Sequence, residues 1–255
     1  MDETALKMRN ILLTLRFDGT AYHGWQVQKN AVTVQQTLQD ALETVLRSRP
    51  PVIGCSRTDA GVHANEYACN FHTSMNIPNE SLLRALNTNL PADIAVTGCT
   101  EVPERFHARY AACAKEYIYK VYNEKTRDPF LNRFALYYPY RLDIEAMRRA
   151  AAGFLGRHDF KAFRATGSSV DDTVRNVTLF EIETQGSLAT FRVRADGFLY
   201  NMVRIMIGTL LYVSRGRIGE SNICEIIDSQ SRERAGPTVP AHGLYLNKVF
   251  YETGV

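Results

Sequence analysis

The amino-acid sequence predicts an α+β protein. Of its 255 residues, 45% are hydrophobic, which is enough to bury a sizeable core and excludes a disordered chain. Segments with the pattern of strands are interspersed with segments that have one apolar helical face, in both halves of the chain. Because no low-complexity linker separates the halves, we expect two packed domains, residues 1–104 and residues 105–255.

The first half begins with a predicted strand at residues 10–17, which ends at Asp18-Gly19. Thr33 followed by Gln36 has the pattern of a capping box, so a helix is expected to begin there. The apolar residues of this helix recur on one face, at Val34, Leu38, Ala41, Leu42, Val45 and Leu46. The other elements predicted in this half are strands at residues 51–55, 66–72 and 93–102 and a short helix capped by Asn79.

The second half begins with residues 117–122, whose alternating side chains predict a strand. Asp143 is expected to cap a helix that ends at Gly156. The inward face of this helix is predicted to contain Ile144, Met147, Ala151, Phe154 and Leu155. The other predicted elements are a hairpin of residues 174–183 and 189–195 around Gln185-Gly186, a long apolar helix at residues 198–215, a short helix capped by Asn222 and a strand at residues 243–251.

The composition also limits the class of protein. Five widely spaced cysteines without a Cys-x-x-Cys pair favour a reducing compartment and argue against a disulfide framework or a zinc site. Residues 1–7 lack an apolar signal core, and the most apolar segment, residues 198–213, is too short to span a bilayer. We therefore expect a cytoplasmic protein that does not contact a membrane. The net charge of +3 does not by itself indicate a nucleic-acid partner.

The most informative segment is residues 54–64, in which Asp59 follows Arg57 in a loop between two predicted strands. Loops positioned by rigid elements often carry catalytic groups, and the charge of Arg57 would favour the ionised carboxylate. An ionised, positioned Asp can act as a nucleophile or as a base. The alternative is ordinary turn chemistry, in which the Asp side chain bonds the backbone of its own loop.

The chain resembles the tRNA pseudouridine synthase A (TruA) family. The active-site motif of that family is similar to residues 56–64, Ser-Arg-Thr-Asp-Ala-Gly-Val-His-Ala. Further similar segments follow in the order of the family and span nearly the whole chain, at residues 22–28, 33–36, 89–96, 106–110, 115–119, 156–160, 198–204 and 243–246. One short match could arise by chance, whereas this ordered series is hard to explain otherwise.

The resemblance implies a pseudouridine synthase fold, in which two similar α/β halves share a mixed, largely antiparallel sheet with a central active-site cleft. It implies an enzyme that isomerises uridine to pseudouridine in the anticodon stem-loop of tRNA, at positions 38 to 40, and that works as a homodimer. This isomerisation is not a net oxidation, hydrolysis or group transfer, so neither a cofactor nor a metal is expected. The chain agrees, because it has no Gly-x-Gly-x-x-Gly segment, no Walker loop and no His/Cys cluster with metal-ligand spacing.

The resemblance also implies the catalytic residues. Asp59 would act as nucleophile or base at C1′ or C2′ of the target sugar. Arg57 would keep Asp59 ionised or occupy the position that the flipped base vacates, and its alternative is a solvent-facing loop charge. Arg204, in an otherwise apolar helical segment, would lie against Asp59, since a buried Arg is rarely unpaired. Its alternative is a side chain that extends to solvent at a helix edge.

The predicted RNA contacts come from the resemblance and from basic segments. Tyr117 would stack on the target base or supply a hydroxyl; without the resemblance, a core tyrosine on a strand would be the leading interpretation. Leu244 would form a pocket wall and is equally compatible with a core position. Tyr119 is expected to pack. Basic and aromatic residues together suit phosphate contact and stacking. One such segment contains Arg105, His107, Arg109 and Lys115, and a second contains Arg157, His158, Lys161 and Arg164 with Phe160 and Phe163 between them. His63 is expected to order the active-site loop by a hydrogen bond rather than to transfer protons.

Two other functions stay open at the level of sequence. A non-catalytic RNA-binding module on the same fold is disfavoured by the intact Arg-Thr-Asp of residues 57–59. A hydrolase with Asp59 as its nucleophile would need a second carboxylate nearby in space, and none is obvious beside Asp59 in the sequence.

Overall fold

A computed structural model of the chain describes residues 8–167 and 170–252. The chain divides into two compact units. The first consists of Met1–Cys113 with Leu246–Val255, and the second of Ala114–Tyr245. Both combine strands and helices, which confirms the predicted α+β class. The segment predicted to lack a signal core, residues 1–7, lies outside the described residues. No helix of the described residues is long and apolar enough to cross a membrane.

The first unit is built on antiparallel strands. Strand β1 (Arg9–Phe17) lies between β3 (His63–Thr73) and β4 (Ile94–Val102) and pairs with both. The short β2 (Ile53–Gly54) pairs with β3, and the last strand of the chain, β10 (Leu244–Tyr251), is also hydrogen-bonded to β3. Alternate residues of β1 are completely buried, at Ile11, Leu13 and Leu15. The strands predicted in this half are therefore confirmed, although β2 contains only two residues.

Two helices complete the first unit. Helix α1 (Val34–Leu46) begins as predicted, because the Thr33 hydroxyl accepts a hydrogen bond from the N–H of Gln36 at 3.4 Å. Helix α2 (Asn79–Asn89) is also present, but the prediction that Asn79 caps it is wrong. Pro78 occupies the cap position, and the side-chain oxygen of Asn79 accepts from Nη2 of Arg9 at 2.8 Å instead.

The division into units differs from the boundary predicted after residue 104. From Leu246 onward the returning strand β10 belongs to the first unit, where its residues form hydrogen bonds: Nδ2 of Asn65 donates to Oδ1 of Asn247 at 2.8 Å. The Tyr251 hydroxyl donates to the carbonyl of Ala108 at 2.8 Å. A single boundary in the sequence cannot assign a C-terminal strand to the same unit as the N-terminal sheet.

The second unit also contains a largely antiparallel sheet. Its strands are β5 (Ala112–Tyr122), β6 (Leu136–Tyr137), β7 (Gly156–Asp159), β8 (Val174–Gln185) and β9 (Leu188–Ala195). Their order is β5-β9-β8-β7, with β6 parallel to β5 and the other pairs antiparallel. Strands β8 and β9 form the predicted hairpin, and its turn contains Gly186 with a φ of +56°.

Helices α3 (Ile144–Ala151), α4 (Met202–Ser214) and α5 (Asn222–Ser229) belong to the second unit. Asp143 caps α3 as predicted, since its Oδ1 accepts from the N–H of Ala146 at 3.0 Å. Leu155, however, is 43% exposed rather than inward-facing. It lies beyond the end of α3, where an extended backbone turns its side chain away from the helix face.

The other two helices begin differently from the predictions. Helix α4 starts at residue 202 rather than 198, because Asn201 adopts a left-handed conformation with a φ of +60°. Asn222 does not cap α5. It is the first helical residue, Ser221 precedes it at the cap position, and its side chain donates to Oε2 of Glu225 at 2.8 Å.

A loop packs tightly against α4. Gly208 lies so close to this loop that an added Cβ would be 1.8 Å from the carbonyl oxygen of Pro237. The neighbouring Thr209 is completely buried, and its hydroxyl donates to the carbonyl of Ile205 and accepts from the N–H of Gly236, each at 2.8 Å. One hydroxyl therefore fixes residues 236–240 on the helix, because a buried N–H without a partner is costly.

Thr209→Val should reduce the free energy of unfolding by about 1–3 kcal/mol, since valine leaves the buried N–H of Gly236 without an acceptor. Thr209→Ser keeps the hydroxyl and is the matched control, expected to lose less. Urea denaturation measures both. Equal stability of the Val variant and the wild type would contradict this role for the hydroxyl.

Candidate active site

Asp59 lies in an irregular loop between β2 and β3 and is half-buried. The loop starts where the N–H of Cys55 donates to the carbonyl of Ala68 at 2.9 Å. After Asp59 the chain turns sharply: its carbonyl accepts from the N–H of Val62 at 3.2 Å, and Gly61 has a φ of +77°. Glycine suits this turn because other residues rarely adopt such a conformation.

The segment after β1 holds the backbone on both sides of Asp59. The N–H of Trp25 donates to the carbonyl of Thr58, and the N–H of Gly61 donates to the carbonyl of Tyr22, each at 3.2 Å. Gly24 has a φ of +82°, and an added Cβ would be 2.2 Å from the Thr58 oxygen. The Asp59 backbone is therefore positioned by contacts that only a glycine at residue 24 permits.

Two buried aromatic rings support the loop. The Tyr67 hydroxyl donates to the carbonyl of Ser56, and its ring stacks on Trp25 with centroids 4.1 Å apart. Both rings are almost completely buried. An added Cβ on Gly54 would be 2.3 Å from the Tyr67 oxygen. The sequence analysis assigned no role to Gly24, Trp25 or Tyr67, although Gly24 and Trp25 lie in one of the segments that resemble the family.

His63 orders the loop, as predicted. Its ring is 1% exposed, and Nδ1 accepts a hydrogen bond from the N–H of Gly19 at 3.0 Å. Gly19 also approaches the loop backbone, because an added Cβ would be 2.0 Å from the carbonyl oxygen of Val62. The bond gives His63 the predicted structural role, and its exclusion from proton transfer stays a prediction.

Arg57 is exposed on the same loop. Its predicted roles, in keeping Asp59 ionised or in occupying the position of a flipped base, stay predictions.

In the second unit, Arg204 lies in the first turn of α4 and is half-buried. Its Nε donates to the carbonyl of Val239 at 2.7 Å, and Nη1 donates to Oδ1 of Asn201 at 2.6 Å. The guanidinium is therefore held by protein groups rather than extended into solvent. The loop that Thr209 fixes on α4 supplies one of these acceptors, so packing along the helix determines where this charge lies.

The charge of Arg204 acts on two groups of the second unit, the buried Tyr119 and the half-buried His242. Tyr119 is completely buried, and its hydroxyl donates to the carbonyl of Pro240 at 2.8 Å, which confirms that it packs. Burial raises the pKa of Tyr119 above its ordinary value, and the charge of Arg204 opposes this rise. Burial lowers the pKa of His242; a hydrogen bond with the backbone of Ala135 opposes this, and Arg204 lowers the pKa further.

Tyr117 and Leu244 are both buried in the second unit, with 7% and 6% of their surface exposed. Tyr117 lies on β5 opposite Val193 of β9. Its ring meets that of Phe198 edge to face, with centroids 5.0 Å apart. Leu244 is the first residue of β10. The geometry of the second unit shows well-packed positions for both, and their predicted contacts with a base stay predictions.

The second basic segment differs from its prediction. Phe160 and Phe163 are completely buried and meet each other edge to face at 6.1 Å, so they are core residues and do not stack on bases. Nη1 of Arg164 donates to the carbonyl of Val170. Lys161 is exposed. The alternation of basic and aromatic residues arises here from a short 3₁₀ helix with one buried face.

The first basic segment keeps its charges at the surface. Arg105 and Arg109 are exposed, and His107 is half-buried. Within residues 8–167 and 170–252, the His, Cys, Asp and Glu side chains form no group of three or more that could hold a metal ion.

Comparison with known proteins adds independent findings. Residues 14–111 and 150–252 match a family model described as tRNA pseudouridine synthase. The chain is 47% identical over 244 residues to the tRNA pseudouridine synthase A of Thermoanaerobacter sp. (strain X514), covering 96% of this chain and 100% of that protein. It is 46% identical to the tRNA pseudouridine synthase A 2 of Clostridium perfringens (strain 13 / Type A), with the same coverage.

A weaker similarity links the chain to a solved structure. The crystal structure of a Cbf5-Nop10-Gar1 complex aligns over 93% of this chain and 59% of that chain, with a TM-score of 0.37 and 12% identity. This similarity is too low to support an argument about fold or function.

A left-handed backbone costs a non-glycine residue about 1–2 kcal/mol. Gly24→Ala should destabilise the protein by more than this, since the added Cβ would also displace the Thr58 carbonyl. Gly186→Ala is the matched control, because Gly186 has a positive φ but open space around an added Cβ. Chemical denaturation measures both, and hydrogen exchange should show faster opening of residues 56–62 in the Gly24 variant alone. Equal effects of the two substitutions would contradict the close approach at residue 24.

Proposed function

The chain belongs to the tRNA pseudouridine synthase family, and we propose that it isomerises uridines 38, 39 and 40 of the anticodon stem-loop through the carboxylate of Asp59. The observation that carries the proposal is the Asp59 loop, whose backbone is hydrogen-bonded at Thr58 and Gly61 to residues 22–25. Catalysis by a single carboxylate requires accurate placement, because misplacement by about 1 Å can cost a hundredfold in rate.

The reaction limits which groups are needed. The C1′–N1 bond of uridine breaks, the uracil turns, and a C1′–C5 bond forms. A proton leaves C5 and N1 gains one, so the product is an isomer and no electrons are transferred. The enzyme must extract the nucleotide from the RNA stack, supply one carboxylate near the sugar and hold the detached base. No cofactor follows from this chemistry.

We assign Asp59 the attack on C1′ or the removal of the C2′ proton, since either step needs an ionised carboxylate at a fixed place. Arg204 acts in the same step by favouring that ionised form. Two hydrogen bonds, to Val239 and to Asn201, support its role by fixing the guanidinium. Arg57 keeps the Asp59 carboxylate ionised or occupies the position that the flipped base vacates.

Tyr117 and Leu244 are assigned to the uracil. An aromatic ring is suited to this task because stacking on an unpaired base contributes about 1–3 kcal/mol. The edge-to-face contact with Phe198 supports the assignment, since it fixes the Tyr117 ring.

Affinity for tRNA is assigned to exposed cations, which act by neutralising phosphates. Arg109 and Lys161 are exposed and suit this role. Arg164 is half-buried and bonds Val170, so only part of its guanidinium remains for RNA. The homodimer is part of the proposal and is tested by light scattering of the purified protein. The cytoplasmic location stays a prediction.

The decisive experiment incubates the purified protein with unmodified tRNA in EDTA, without any added nucleotide. Pseudouridine has the mass of uridine, so the product is mapped by carbodiimide adducts and primer extension. We expect adducts at positions 38 to 40 and none in a tRNA with cytidines there. Release of free uracil would indicate a hydrolase, and binding without product a non-catalytic module; product at other positions would contradict the proposed site.

Asp59→Asn should abolish isomerisation, with a loss of more than about a thousandfold, the scale seen when catalytic side chains are removed from other enzymes. Affinity for tRNA should change little, because phosphate contacts dominate it. Asp228→Asn makes the same change at an exposed position and is the control. Single-turnover assays with excess enzyme provide the measurement, and substantial product from the Asp59 variant would overturn the assignment.

If Tyr117 acts by stacking, Tyr117→Phe should keep most of the activity and Tyr117→Ala should lose about 5- to 150-fold in kcat/KM. Thermal unfolding of both variants controls for the lost core volume. Tyr119→Phe controls for the loss of a hydroxyl on the same strand. Loss of activity in the Phe variant as well would indicate that the hydroxyl is required. Full activity of both variants would indicate that Tyr117 only packs in the core.

A further inference from the structure

Tyr110 is a large side chain that the fold leaves in solvent and yet holds in place. Its ring is 78% exposed and stacks on the ring of His107, with centroids 4.2 Å apart and planes inclined by 26°. The N–H of Tyr110 donates to the His107 carbonyl at 3.1 Å and to Nδ1 at 3.3 Å. The imidazole covers one face of the tyrosine ring, and the other face is open to solvent.

The segment that carries this pair is anchored to the first unit. The Phe106 ring packs edge to face on Tyr251 at 5.2 Å, and the Phe106 carbonyl accepts from Nδ2 of Asn10 at 2.9 Å. The N–H of Ala108 donates to Oδ1 of Asn70 at 2.9 Å, and this bond is buried. Because the backbone on either side of His107 is fixed, a ligand that stacks on Tyr110 does not have to order the loop first.

Two arginines lie within five residues of Tyr110 in the sequence. Arg105 and Arg109 are both exposed, and neither forms an ion pair with a carboxylate among the residues that the structure describes. Arg49, by contrast, pairs with Asp40 at 2.6 Å and with Glu43 at 2.7 Å. The acidic neighbour in sequence, Glu104, is also exposed. The guanidinium groups of Arg105 and Arg109 are therefore available to an anion.

An open aromatic face in a segment that also carries two exposed arginines suits one class of ligand above others, a nucleotide whose base is unpaired. The ring provides a surface for the base, and the arginines bind the flanking phosphates. A base inside a duplex has both faces covered by its neighbours and cannot use such a surface. We propose that Tyr110, supported by His107, is a stacking platform for an unpaired tRNA nucleotide other than the target uridine. This inference rests on the proposed function in that the RNA is a tRNA.

The test measures binding to a hairpin with the sequence of a tRNA anticodon stem-loop and to a blunt duplex of the same stem. Tyr110→Ala should weaken hairpin binding by about 5- to 150-fold, the range for one stacked base, and should leave duplex binding unchanged. Tyr110→Phe keeps the ring and should bind like the wild type. Tyr140→Ala is the matched control, since Tyr140 is 52% exposed but its ring is covered by the Arg215 guanidinium at 4.2 Å.

A second readout separates stacking from charge. Hairpins that carry 2-aminopurine at one loop position at a time should show quenched fluorescence at the contacted position with the wild type and Tyr110→Phe, and no quenching with Tyr110→Ala. The slope of log affinity against log salt should stay the same in Tyr110→Ala and fall in the double variant Arg105→Ala with Arg109→Ala, since only phosphate contacts release counterions.

Three outcomes would overturn the platform. The first is that Tyr110→Ala binds the hairpin with the affinity of the wild type. The second is that Tyr110→Ala loses the same affinity for the hairpin and for the duplex. The third is a change of oligomeric state in Tyr110→Ala, measured by light scattering, which would make the ring a contact between copies of the chain. Pseudouridine formation by the wild type is measured in parallel. Its absence would refute the proposed function, whereas its presence with unchanged binding by Tyr110→Ala would refute the platform alone.

Discussion

The close approach of Gly24 to the carbonyl of Thr58 is the constraint on which the Asp59 loop depends. An added Cβ would be 2.2 Å from that oxygen, and the neighbouring N–H of Trp25 bonds the same carbonyl. Asp59 itself needs only its carboxylate for chemistry, but a carboxylate on a free loop would spend little time in a reactive position. The residue that we propose carries the reaction is thus placed by a residue that has no side chain.

The second unit follows the same rule with different groups. Arg204 is charged and half-buried, so its position depends on acceptors that the fold must supply. The carbonyl of Val239 is one of them, and it is brought there by a loop that the buried Thr209 hydroxyl and the bare Gly208 hold on α4. Packing far from any reacting atom therefore determines where the charge lies.

Exposure decides what an aromatic residue in a basic segment can do. Phe160 and Phe163 alternate with basic residues as an RNA-binding surface would, yet both are completely buried. Tyr110, in a segment with similar composition, is 78% exposed and supported on one face. Both segments combine basic and aromatic residues, and burial decides which of the aromatic rings a ligand could contact.

The sequence alone determined the α+β class and most of the strands and helices, because these follow from local periodicity and from cap residues such as Thr33 and Asp143. A motif read along the chain also singled out the Asp59 loop, whose role in catalysis is a proposal. It could not determine what depends on distant partners. Asn79 bonds Arg9 instead of capping its helix, and strand β10 returns to the first unit. Gly24 and Tyr67 support a loop more than thirty and about ten residues away in the chain. Tertiary structure decided these points, since a side chain with several possible hydrogen-bond partners takes the one that folding brings within reach.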